Sequence, residues 1–159
     1  GVPAFLPDAS RTFLQSLSSQ PLNPGMRQTL AAQARQEAAF LETHLAGEAP
    51  VHLPRRLLMN MTETVQRMAE GSSEREALVA MIGAAISLHA LELLPSSLVM
   101  AAWSCSTMGA TQGAPVFSSV SEAACQRFAS GGTGGFSAND IALLAWIFGR
   151  KGIRDIALF

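Results

Sequence analysis

Gly131-Gly132-Thr133-Gly134-Gly135 has a composition that can cradle a phosphate on bare backbone N–H groups. That chemistry needs more than glycine, because a phosphate loop ends in Lys-Ser/Thr and follows a strand, and neither accompanies this run. It reads instead as a flexible linker between two helices. His44, His52 and His89 are not at HxxxH spacing and no HExxH occurs, so no metal site is expected. Serines are plentiful, yet no Gly-x-Ser-x-Gly elbow presents one as a nucleophile. Cys105 and Cys125 belong to no CxxC pair and lie near no histidine at ligand spacing. They read as free thiols on helix faces, in keeping with a reducing, matrix-like compartment. Neither catalytic residues nor a cofactor are expected, and an enzyme is the least supported class.

The cations are the remaining candidates for chemistry. Arg55 and Arg56 in LPRRLL, Arg127, and Arg150, Lys151 and Arg154 in GRKGIR could contact the phosphates of RNA. Arg150, Lys151 and Arg154 fall at the end of a helical pattern, where cations also offset the negative end of the helix dipole. Arg55 and Arg56 fall at a helix start, where the dipole does not favour them, which lends weight to an external anionic partner. The 159 residues carry a net charge of -1, with 48% hydrophobic and 14% charged residues. A protein-wide basic footprint is therefore excluded, and any nucleic-acid contact must be local. The composition also excludes intrinsic disorder. The charge-free run from Ala77 to Leu91 contains a histidine and falls short of the roughly twenty apolar residues a bilayer-spanning helix needs. Asn60-Met61-Thr62 matches the glycosylation sequon inside a helical pattern, where chance explains it better. The chain opens on Gly1 without a targeting segment, which reads as a processed or partial product.

Helices must position these groups, since helical periodicity runs through nearly the whole chain and no alternating β-branched run appears. Asn23 reads as a cap and Pro24 as the first residue of a helix that keeps Met26, Leu30, Ala34, Leu41 and Leu45 near one face until Gly47. Ser73 with Glu76 and Ser119 with Glu122 read as capping boxes opening further helices, and Ser137 with Asp140 as a weaker one.

Second helices lie between these, beginning at Leu53-Pro54, Leu94-Pro95 and Ser137. A shift of 43 carries Leu98 onto Ile141, Ala102 onto Ala145, Trp103 onto Trp146 and Gly109 onto Gly152. A shift of 41 carries Leu53-Pro54 onto Leu94-Pro95 and Leu57 onto Leu98; a fainter Leu-Pro stands at Leu6-Pro7. The reading is all-α: an α-solenoid of helix-turn-helix repeats with a period of about 42 residues. Its divisions are degenerate N-terminal pairs over 1–71, one repeat over 72–114 and another over 115–159. Leu98, Ala102, Trp103, Ile141, Ala145, Trp146 and Phe148 form the expected repeat core, with both tryptophans buried at equivalent positions. The apolar tail Ile153, Ile156, Leu158 and Phe159 would leave an uncapped end prone to association.

The stretch Asp140-Ile141-Ala142-Leu143-Leu144-Ala145-Trp146-Ile147-Phe148-Gly149-Arg150-Lys151-Gly152 resembles the second helix of the octotricopeptide and heptatricopeptide repeat families, shared with RAP-domain and FAST-kinase-like organellar proteins. The matching positions are Ser137, Asn139-Asp140, Ile141-Ala142, Trp146, Phe148 and Gly152, with a looser copy over Pro95 to Gly109. The resemblance implies an organellar helical-repeat protein that handles RNA. Most concretely it implies a mitochondrial matrix ribosome component touching rRNA and neighbouring proteins. Those families meet RNA with their first helices, which here, at about Ser73 to Leu91 and Ser119 to Ala129, hold only Arg75 and Arg127 as basic residues. The uncharged span from Leu93 to Ser121 favours the alternative of a protein-binding scaffold, such as an accessory subunit of a respiratory complex.

Overall fold

The computed structural model of the chain describes residues 24–154 and Leu158. Among them are six α-helices and no strand. They are α1 (Pro24–Leu45), α2 (Arg55–Arg67), α3 (Ser73–His89), α4 (Pro95–Thr107), α5 (Pro115–Ala129) and α6 (Ala138–Arg150), with a 3-10 turn, Ala90–Glu92, after α3. The expected cap Asn23 and the Leu6-Pro7 copy lie outside the described residues.

Proline and serine set the helix starts. Pro54 is the N-cap of α2, while Pro95 and Pro115 lie in the first turns of α4 and α5, where a missing N–H costs nothing and φ is already helical. The expected capping box at Ser137 is complete: its hydroxyl accepts from the Asp140 N–H and the Asp140 carboxylate accepts from the Ser137 N–H, both at 3.0 Å. The other two caps differ from expectation. Ser72, not Ser73, caps α3 by accepting from the Arg75 N–H at 3.2 Å, because the preceding turn closes on Ser72 through its own N–H to the Ala69 carbonyl. Ser119 sits inside α5, which Pro115 starts a turn earlier, and its hydroxyl bonds that of Ser87 on α3.

The helices lie in two rows. α3 packs against both α1 and α5, while α4 packs against both α2 and α6; α1 packs on α2, α3 on α4 and α5 on α4. Short backbone links stitch successive pairs: Val51 N–H to the Glu92 carbonyl (2.7 Å), Leu94 N–H to the Val51 carbonyl (2.9 Å), and Leu53 N–H to Ser97 Oγ (2.9 Å). They bring the starts of α2 and α4 together. Gln66 Nε2, donating to the Thr107 carbonyl, brings their ends together, so α2 and α4 run parallel.

α2 and α4 bury residues in the same pattern. Leu58, Met61, Thr62, Val65 and Met68 are buried, as are Leu98, Ala101, Ala102, Cys105 and Met108, each exactly forty positions further on. The register is thus one residue off the expected shift of 41, because Pro54 caps its helix whereas Pro95 lies within one. α4 and α6 end in matching turns 43 positions apart. Ala110 N–H bonds the Cys105 carbonyl and Ile153 N–H the Phe148 carbonyl, both at 2.9 Å, around left-handed Gly109 (φ 97) and Gly152 (φ 67). This is the glycine-terminated helix end in which a 6→1 bond satisfies an orphan carbonyl.

The expected repeat core is met only in part. Leu98, Ala102 and Phe148 are buried, and Trp103 and Ile141 are half-buried against the core. Ala145 and Trp146 are exposed, Trp146 by 50%. The reason is position in the row. α4 is covered on two sides by α2 and α6, whereas α6 packs mainly on α4, touching α5 through the edge-on Phe117–Phe148 pair.

Candidate functional site

The six candidate phosphate contacts do not converge. Arg55 and Arg56 stand exposed in the first turn of α2, the positive end of its dipole. Arg127 on α5 is half-buried and donates to the Leu93 carbonyl. Lys151, closing α6, reaches back to the Ala110 carbonyl at 2.8 Å, so α6 ends beside the end of α4. Arg150 lies over the Trp146 ring, 5.1 Å from its centroid, in a cation–π arrangement. Arg154 is exposed just beyond. A helix of 13 residues is about 20 Å long, so the pair opening α2 and the group closing α6 occupy opposite ends of parallel helices.

Internal roles thus occupy several cations that the sequence offers as RNA contacts. Carbonyl groups left bare at and just beyond helix ends need donors, and these side chains supply them. Arg75, read in the sequence only as a basic residue of a first helix, does the same at two helix ends: its guanidinium donates to the Met68 carbonyl (3.2 Å) and the Met108 carbonyl (3.4 Å). Gln112 Nε2 donates to the Gly152 carbonyl at 2.8 Å. No signal in the sequence marks such links, because each joins residues 7 to 40 positions apart.

The glycine run is a folded turn and not a flexible linker. Gly131 N–H bonds the Phe128 carbonyl (3.1 Å), Phe136 N–H bonds the Thr133 carbonyl (3.0 Å), and the Phe128 and Phe136 rings stack with centroids 5.2 Å apart. A Cβ on Gly134 would sit 2.7 Å from the Arg127 carbonyl carbon, at φ +63. Glycine is required there for close packing, which accounts for the motif without a phosphate.

Burial pushes the Cys105 thiol up to about 12, so it is a weak nucleophile. Among the described residues no group of three His, Cys, Asp or Glu could hold a metal, and no helix is long and apolar enough to cross a membrane.

Two grooves lie along the row of first helices and its flank. A groove of about 820 Å³ runs between α3 and the α4–α5 connection, floored by Val79, Gly83 and Val116 and edged by Glu70 and Glu76. A second, more open groove of about 890 Å³ between α1 and α2 includes the amides of Gln28, Gln33, Gln36 and Asn60 in its lining, with Phe40 at its edge. There Glu37 accepts from Gln33 and Thr64, both at 3.1 Å. No family model matches the chain, and no curated protein or solved structure shows significant similarity to it.

Proposed function

We propose that this protein is a non-catalytic helical-repeat scaffold, an α-solenoid with a repeat of about 42 residues, that works by binding neighbouring proteins. One observation carries the reading. The row of first helices, the broad face of such an array, presents on α3 an exposed face that is uncharged from Ala77 to Leu88 and bordered by acids. Protein partners suit such a face and phosphate does not. Two-row packing, the burial match between α2 and α4 and the shared glycine-ended turns of α4 and α6 support the solenoid.

RNA contact is the second reading, and Arg55 and Arg56 favour it. They are exposed, carry no ion pair among the described residues, and sit where the helix dipole disfavours cations. The resemblance of Ser137 to Gly152 to organellar repeat proteins supports a mitochondrial ribonucleoprotein, such as the mitochondrial ribosome, as the setting for either reading. An accessory subunit of a respiratory complex would use the same protein-binding faces without RNA.

Cross-linking the tagged chain in its own cells, then purifying it with and without ribonuclease, separates the two. The scaffold reading expects protein cross-links that survive ribonuclease. Cross-links only to RNA, through Arg55 and Arg56, would overturn it.

A further inference from the structure

The exposed residues of α3 after Glu76 are Ala77, Ala80, Met81, Ala84 and Leu88, the last 80% exposed. Their spacing draws one stripe along the helix, about 16 Å long at 1.5 Å per residue. The 820 Å³ groove opens beside this stripe and shares Ala80 and Ala84 with it. Its charged groups stand at one end only. Glu70 and Glu76 are exposed at its mouth, while Arg75 is turned to the Met68 and Met108 carbonyls. Glu74 nearby is paired with Arg35 at 3.8 Å.

We propose that this groove and stripe are the docking site for an amphipathic α-helix of a partner protein, apolar on the face it buries and basic at the end that meets Glu70 and Glu76. The inference rests on the scaffold reading and names its partner class. A straight apolar track three turns long fits a helix better than a compact ligand. The small side chains of Ala77, Ala80, Gly83 and Ala84 let a second backbone approach to the 8–10 Å typical of packed helices. Glu76 also complements the dipole of its own helix, but Glu70 precedes that helix and has no such role. Two exposed acids at one end of an otherwise uncharged groove and stripe repel an acidic partner and fix the direction of a basic one.

Two synthetic amphipathic peptides of about 18 residues test this, sharing one Leu/Ala face and differing only in Lys or Glu at the polar positions. Binding to the full chain is followed by fluorescence anisotropy. The Lys peptide is expected to bind at least about tenfold more tightly than the Glu peptide at low salt, with the ratio shrinking as salt is added. Glu70→Lys with Glu76→Lys should reverse the preference, and Ala84→Glu should abolish binding. All three positions are exposed, and circular dichroism would verify that the variants fold. Equal affinity for the two peptides, no binding of either, or binding unchanged by these variants would overturn the proposal. Natural-partner cross-links that map elsewhere on the chain would then leave the scaffold reading standing, whereas no protein cross-links at all would remove both.

Discussion

Trp103 and Trp146 stand 43 positions apart in matching helices, yet they face different surroundings. Trp103 is half-buried against the core, and Trp146 is half exposed beneath Arg150. Replacing Trp146 with Ala should therefore cost under about 1 kcal/mol, the size of an exposed cation–π contact. Trp103→Ala should cost about 2 kcal/mol, and Phe148→Ala, fully buried edge-on to Phe117, about 3 to 5. Urea unfolding of the three variants gives the order directly, and equal costs for the two tryptophans would contradict it. Cys105 offers a pH test. Its thiol is held protonated when folded, with a pKa raised from 9.0 to about 12, so stability from this group is present below pH 9. It falls as pH rises between these values, by up to about 1.4 kcal/mol per unit. Cys105→Ala should flatten that slope. Among the cations, Lys151→Met and Arg127→Met should lower stability and leave RNA affinity unmoved. If the RNA reading holds, Arg55→Gln and Arg56→Gln should instead weaken RNA binding. Each should lower its salt slope by somewhat under one unit.

Helix starts and stops decide much at the scale of elements. Ser137→Ala removes a complete capping box and should cost about 1 kcal/mol, as should Ser72→Ala. Ser73→Ala should be nearly neutral, since the cap lies one residue earlier. Thermal melts of the three distinguish this register from the one expected from the sequence. Gly134→Ala should be worse than any cap deletion. It combines a left-handed φ with a Cβ 2.7 to 2.9 Å from Arg127, and a loss on the order of 2 to 3 kcal/mol follows unless the turn shifts away.

An array that contacts only its neighbours should open from its ends. If the solenoid reading holds, amide exchange should be slowest in α3 and α4, which are covered on two sides, and faster in α1 and in α6. Uniform exchange across all six helices would instead describe one cooperative bundle. The exposed face of α6, with Trp146, Ala142 and Ala145, gives the same expectation for association. Ala145→Glu should reduce any self-association of the isolated chain seen in sedimentation, without lowering its melting temperature.

Sequence alone determined the all-helical character, the proline and glycine punctuation and the face of α1 that carries Leu30, Ala34, Leu41 and Leu45. Those features follow from local physics: 3.6-residue periodicity, the fixed φ of proline and the left-handed freedom of glycine act within a few residues. Tertiary structure alone decided which residue of a repeated pattern is covered. Ala102 and Ala145 carry the same letter in the same register, yet only the first has a helix on both sides. It also decided what the basic residues do. Arg75, Arg127 and Lys151 look in sequence like any surface cation, but each ends on a carbonyl 7 to 41 residues away. A carbonyl left bare at a helix end recruits whatever donor the fold brings near it, and nearness of that kind is a property of the packed molecule.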